Sequence, residues 1–145
     1  SLHTTRAALR EKLLPRAPRI DPAELVALAH RYAEATRYPI QYQWTLLEGV
    51  NDGDDEVEAI ARLLAGKYAV MNFIPWNTVE GAGFSRPSWE RAAEMVRALH
   101  RRGVLAKLRN SAGQDVDAGC GQLRAREVAG PRTTVRLHAI TPAGH

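Results

Sequence analysis

The 145-residue sequence is short of several residue types, and each shortage excludes a class of structure or chemistry. Cysteine occurs once, as Cys120, so the chain makes no internal disulfide and supplies neither a structural zinc site nor an iron–sulfur cluster. No run approaches the roughly 18 consecutive apolar residues of a transmembrane helix. The opening Ser1-Leu2-His3-Thr4 lacks an apolar signal-peptide core and an initiating Met. We therefore expect an interior or C-terminal piece of a longer, cytoplasmic protein. Neither a Gly-rich phosphate loop nor a nucleophile elbow is present. The five histidines (His3, His30, His100, His138 and His145) show no metal-ligand spacing, and no metal ligand is expected.

The composition that remains, 45% hydrophobic and 25% charged, is that of a globular chain about one domain long, which excludes intrinsic disorder. The net charge is +4, and 17 of the 20 basic residues are Arg. Residues 1–85 carry 9 basic and 11 acidic side chains, whereas residues 86–145 carry 11 and 5. That asymmetry fits a C-terminal part facing a polyanion, or an Arg-rich chain decorating its solvated helix faces.

Periodicity organises the chain as helices alternating with short strands. Residues 4–14 read as a short helical segment ended by Pro15. Asp21-Pro22-Ala23-Glu24 reads as a cap, a Pro in the first turn and a reciprocal capping residue, opening a helix over 22–36. Leu25, Leu28, Ala29 and Tyr32 give it an apolar stripe. Residues 40–47 alternate, with Ile40, Tyr42, Trp44 and Leu46 on one face and Gln41, Gln43 and Thr45 on the other. Asp54, Asp55 and Glu56 open the next helix against its dipole, Val57, Ile60, Ala61 and Leu64 form its buried stripe, and Gly66 closes it. Residues 69–74 read as a buried strand, and Trp76–Phe84 as a loop. Ser85 and Pro87 start a third helix with the stripe Trp89, Ala92, Ala93, Val96 and Leu99. Residues 104–109 form a further strand, and 124–145 a tail expected to be poorly ordered.

The sum is an α/β fold of repeated βα units around a parallel sheet. Parallel strands covered by helices usually have two apolar faces. Here one face carries Gln41, Gln43, Thr45, Lys107 and Arg109. Both an open, ligand-holding lumen and a satisfied polar core account for that face.

Ligands of βα folds gather at the carboxyl ends of the strands. The residues falling there are Glu48–Asp52, Pro75-Trp76-Asn77 and Arg109–Gln122. Asn51-Asp52-Gly53 reads most simply as a turn and helix cap. Cys120 lies between Gly119 and Gly121 in a polar loop, a poor place for packing and an accessible one for a thiol. Arg109 and Arg124 favour its thiolate, and Asp115 and Asp117 oppose it, which makes Cys120 a candidate nucleophile.

The segment Asp115-Val-Asp-Ala-Gly-Cys-Gly-Gln-Leu123 resembles the C-terminal signature of the RlmN/Cfr family, radical S-adenosylmethionine methyltransferases of adenine C2 or C8 in 23S ribosomal RNA. Asn72-Phe-Ile-Pro-Trp-Asn77, Val50-Asn51-Asp52-Gly53 and Ser1-Leu2-His3 extend the resemblance, in the family's order, over about residues 1–126. It implies a partial, TIM-like βα barrel, with residues 1–123 as its second part. It implies that Cys120 carries a methyl group as S-methylcysteine, and that Ser1, Leu2, His3 and Asn77 contact S-adenosylmethionine. The implied partners are 23S rRNA, possible tRNA substrates and the N-terminal half of the same enzyme, with no membrane. C2 is the favoured target.

The family's Cys-x-x-x-Cys-x-x-Cys motif for a [4Fe-4S] cluster is absent, as are its Gly-Glu cofactor segment and its second catalytic cysteine. The expectation is therefore the C-terminal fragment of such an enzyme, inactive alone. The alternative is a degenerate, cluster-free homologue acting as an RNA-binding module.

Overall fold

The computed structural model of the protein describes residues 1–77 and 83–109. The expected tail at 124–145, the Cys120 loop and the middle of the Trp76–Phe84 segment lie outside the described residues. Among the described residues, four helices and three strands follow in the order α1 (Ala7–Leu13), α2 (Pro22–Thr36), β1 (Ile40–Leu46), α3 (Asp54–Leu64), β2 (Ala69–Pro75), α4 (Trp89–Arg101) and β3 (Ala106–Leu108). The strands form one parallel sheet in the order β1-β2-β3, with Ile40 paired to Ala69 and Met71 to Ala106. The α/β, repeated-βα architecture read from the sequence is the observed one. No helix among the described residues is long and apolar enough to cross a membrane.

Capping chemistry fixes two of the helix starts. The Asp21 carboxylate accepts the Ala23 N–H at 2.8 Å, and Pro22 occupies the first turn where no N–H is needed. Ser88 Oγ accepts the Arg91 N–H at 3.0 Å, so the third long helix begins at Trp89, later than the Ser85–Pro87 start the sequence indicated. The expected helix at 4–14 shrinks to Ala7–Leu13, because Thr4 and Thr5 are drawn out of it to bond Glu56. β3 is three residues, shorter than the expected 104–109.

The main core lies between one sheet face and the helices. Tyr42, Trp44, Leu46, Met71 and Phe73 meet Val57, Ile60 and Leu64 of α3 and Met95 and Leu99 of α4, with the Trp44 and Phe73 rings edge-on at 6.0 Å. The α3 stripe is as expected. Those of α2 and α4 hold in part: Leu25 and Ala29 of α2, and Ala92, Val96 and Leu99 of α4, pack on the core as expected. In α2, Pro22, Val26 and Ala33 face inward, and Leu28 and Tyr32 are exposed. In α4, Met95 replaces Trp89, which stands half exposed at the first turn. Each helix presents two adjacent apolar stripes, and the crossing angle on the sheet, which periodicity does not encode, selects between them.

A second, smaller cluster sits at the carboxyl end of the sheet. Leu13 and Leu14 pack there on Leu47, Ile74 and Trp76, with Phe84 edge-on to Trp76 at 5.5 Å. Trp76, read from the sequence as the start of a loop, is a fully buried anchor.

The helix-face assignment has a direct test. Met95→Ala should cost about 2–5 kcal/mol of unfolding free energy, as for other buried Met and Leu truncations. Trp89→Ala should cost well under half of that, measured by urea denaturation of both variants.

Candidate functional site

The three strands end together, and the chain segments at that end are tied to one another by buried polar side chains. Ser1–His3 lies along the free edge of β1: the Leu2 N–H donates to the Gln43 carbonyl at 2.9 Å. In a parallel ladder the next bond would run from the Thr45 N–H to a strand carbonyl. Instead Thr45 N–H donates to Nδ1 of His3 at 2.9 Å. His3 adopts a left-handed backbone (φ 64°), which turns the chain off the sheet toward α1.

Asn51 holds that turn. Its Oδ1 accepts the Leu47 N–H at 2.8 Å, and its Nδ2 donates to the carbonyls of His3 at 2.7 Å and Thr45 at 2.8 Å. The residue is completely buried, so all three bonds form away from water. Asp52 supplies the turn chemistry, accepting the Gly49 N–H at 2.9 Å. Gly53 is the N-cap of α3 with no side-chain cap bond. The turn-and-cap reading of Asn51-Asp52-Gly53 thus holds for Asp52 and Gly53, and Asn51 is a brace between β1 and the first residues.

Glu56 makes a second tie. Its carboxylate, 1% exposed, accepts from the Thr4 hydroxyl, from the Thr5 N–H at 3.0 Å and from the Thr5 hydroxyl, with Arg6 Nε at 3.5 Å. Arg6 also donates to the Val50 carbonyl at 2.7 Å.

The residues expected to contact the cofactor occupy distinct positions. Ser1 is exposed, and its carbonyl accepts from Arg10 Nη2 at 3.1 Å. Leu2 belongs to the main core, so only its backbone is available to a ligand. His3 is fully buried, and its Nε2 has no hydrogen-bond partner among the described residues. Because Nδ1 accepts, Nε2 carries the proton, leaving one buried donor that suits a ligand acceptor. Asn77, half-buried, lies two residues beyond the end of β2, after Trp76, at the same end of the sheet. Cys120 lies outside the described residues.

The polar sheet face centres on Asn72, paired in register with Gln43 and Lys107. Its Nδ2 donates to Gln41 Oε1 at 3.0 Å and to the Tyr42 carbonyl at 3.2 Å, while Arg109 Nε approaches its Oδ1 at 3.4 Å. Asn72 is buried and satisfied, whereas Gln41, Lys107 and Arg109 around it are exposed. The satisfied-core reading of this face therefore holds for Asn72. Asn51, Glu56 and Arg10 were not singled out from the sequence as site residues. The only signal available for them was polarity within otherwise ordinary turn and helix patterns.

Burial, reinforced by the positive charges of the amino terminus and Arg10, lowers the His3 pKa from 6.5 to about 3. Between these values the unfolded chain binds the proton and the folded chain does not, so acid favours unfolding. The contribution of neutral His3 is complete above pH 6.5 and is lost progressively as pH falls toward about 3. The urea midpoint should therefore fall between about pH 6.5 and about pH 4, and His3→Gln should flatten that dependence. Asn51→Asp keeps the acceptor for Leu47 but removes both donors and faces two carbonyls with a charge. It should cost about 2–4 kcal/mol, read from the same denaturation curves.

No family model matches the chain. A probable RNA methyltransferase of Aromatoleum aromaticum is 76% identical over 129 residues, which are 89% of this chain and 36% of that protein. Another, from Methylibium petroleiphilum, is 70% identical over 144 residues, 99% of this chain and 41% of that protein. Among solved structures, a radical SAM methyltransferase from Sphaerobacter thermophilus superposes with a TM-score of 0.74 at 41% identity, covering 86% of this chain and 36% of that one. A domain of a pyruvate-formate lyase-activating enzyme from Bacteroides vulgatus, 20% identical with a TM-score of 0.60, shares the fold over 75% of this chain and 64% of its own. In sequence and in fold, this chain is similar to a stretch spanning between 36 and 41% of proteins named as radical SAM or RNA methyltransferases.

Proposed function

We propose that the chain is the C-terminal part of a radical S-adenosylmethionine enzyme of the RlmN/Cfr type, which methylates adenine in 23S rRNA in the cytoplasm, at C2 in preference to C8, with tRNA as a possible further substrate. The observation that carries this reading is the high identity to proteins named probable RNA methyltransferase, 76% and 70% in two of them. The likeness to a radical SAM methyltransferase of known structure supports it.

The fit to S-adenosylmethionine rests on His3, whose buried Nε2–H has no protein acceptor among the described residues and suits an acceptor atom of that cofactor. Ser1, the Leu2 backbone and Asn77 complete the proposed contacts. When bound, S-adenosylmethionine supplies an electrophilic methyl group and, beside a reducing cluster, radical chemistry. The [4Fe-4S] cluster does not fit this chain: three thiolates are required and Cys120 is the only cysteine. Among the described residues no group of three His, Cys, Asp or Glu could hold a metal ion. The cluster therefore belongs to the part of the enzyme outside this sequence, and the fragment alone is inactive.

The proposed role of Cys120 follows from the electronic character of the target. Adenine C2 lies between two ring nitrogens and is electron-poor, whereas a thiolate with a pKa near 8.5 is a competent nucleophile. Cys120 would take the methyl group of S-adenosylmethionine as S-methylcysteine, with S-adenosylhomocysteine as the leaving group, and would hold it for the RNA base. Its sequence neighbours Gly119 and Gly121 carry no side chains that would crowd the thioether.

Peptide mass spectrometry of the full-length protein from cells should find a methyl group on the peptide containing Cys120. Cys120→Ala should abolish methylation of 23S rRNA, and normal turnover in that variant would refute the carrier role. Anaerobic reconstitution of residues 1–145 alone should incorporate no stoichiometric iron and sulfide, which iron analysis reads directly. A full-length protein that binds RNA but transfers no methyl group would favour the RNA-binding module.

A further inference from the structure

Residues 1–20 carry five basic side chains, Arg6, Arg10, Lys12, Arg16 and Arg19, against one acid, Glu11. The fold places this stretch at the carboxyl end of the sheet. Leu13 and Leu14 are pinned to Leu47, Ile74 and Trp76, with Ala17 packed alongside them, so α1 and the residues after it cover the end where His3 and Asn77 lie.

Between α1 and the segment Pro15–Ile20 the surface opens into a cavity of about 660 Å³, lined among others by Arg10, Glu11, Lys12, Pro15, Pro18 and Arg19. Its charge is not neutralised from within. Arg19 reaches Glu11 only at 3.9 Å, with both side chains largely in solvent. Lys12 is exposed and has no carboxylate partner among the described residues. Arg10 is 8% exposed, and only its Nη2 is engaged, by the Ser1 carbonyl; its Nε has no partner among the described residues. A guanidinium largely withdrawn from water, with no carboxylate partner among the described residues, is costly unless an anion approaches it.

We infer that this groove is a docking surface for the phosphodiester backbone of RNA, seating the strand beside the mouth of the sheet while a base enters the site. The inference rests on the RNA methyltransferase reading and adds to it a location. Phosphate oxygens match the donors present: planar, forked guanidinium groups at Arg10 and Arg19 and a point charge at Lys12. Two prolines, Pro15 and Pro18, fix the backbone of the far wall, so little conformational freedom is lost when a strand settles against it.

The test uses the full-length protein and a fluorescently labelled 23S rRNA transcript, with affinity measured over a salt series. The pair Lys12→Glu and Arg19→Glu should weaken binding about tenfold or more at about 0.1 M salt. It should also shallow the slope of log affinity against log salt by about 1.4–1.8, two phosphate contacts at ~0.7–0.9 each. The pair Arg31→Glu and Arg97→Glu makes the same charge change on exposed faces of α2 and α4 and should lose no more than about threefold. Lys12→Gln with Arg19→Gln should retain the parent melting temperature and still lose affinity, which separates lost contacts from lost folding. Equal losses in the two Glu pairs, or an unchanged affinity and slope in the groove variants, would overturn the groove. An unsubstituted protein that binds no RNA would instead overturn the RNA methyltransferase reading.

Discussion

The side-chain amide of Asn51 is the constraint on which the carboxyl end of the sheet depends. Three backbone groups, the Leu47 N–H and the carbonyls of His3 and Thr45, meet at one side chain where β1 ends. A single planar amide meets all three because it offers an acceptor and two donors within one small group. Aspartate lacks the donors, serine lacks the reach, and glutamine is one methylene too long for a site with no spare volume. With the amide in place, the left-handed turn at His3 is over-determined by its surroundings, the condition under which a non-glycine residue persists in that region.

The tie at Glu56 couples the same segment to the main core by a different route. Glu56 lies in the first turn of α3, where the helix dipole favours a carboxylate, and its oxygens collect the hydroxyls and amide of Thr4 and Thr5. Val57, the next residue, and Ile60, one turn further on, enter the core against the sheet. A shift of α3 on the sheet would therefore displace Thr4 and Thr5, and with them His3. The position of the candidate site is set by hydrophobic packing some distance away and transmitted through one buried carboxylate.

Much of this was legible in the sequence, and the boundary of what was legible has a physical basis. The α2 start was readable because Asp21 and Pro22 carry its capping chemistry locally. β1 and α3 were readable because their periods of two and 3.6 are unbroken. The faces of α2 and α4 were readable only in part: Leu25, Ala29, Ala92, Val96 and Leu99 pack on the core, but Leu28, Tyr32 and Trp89 extend the apolar pattern yet remain exposed, and only the crossing of helix on sheet decides which edge of the stripe is covered. Thr4 and Thr5 suit a helix start as well as an extended segment, and their partner, Glu56, is some fifty residues away. For the candidate site, the alternation of Gln41, Gln43 and Thr45 announced a polar face. The role of Asn51 was hidden, because an Asn before Asp-Gly has a sufficient local explanation as a turn.

The separation of the apolar residues into two clusters has a dynamic consequence. Among the described residues, fifteen buried side chains hold the sheet to α2, α3 and α4, five hold α1 and its neighbours to the strand ends, and none belongs to both sets. Opening of the smaller layer leaves the larger one intact, so the free energy of local unfolding differs across the molecule, lowest where the ligand-facing segments are anchored. In hydrogen-exchange terms, the amides of α1 should exchange through openings that leave the main core closed. A ligand seated there would order the smaller layer, and part of its binding energy would be offset by the conformational entropy that layer gives up.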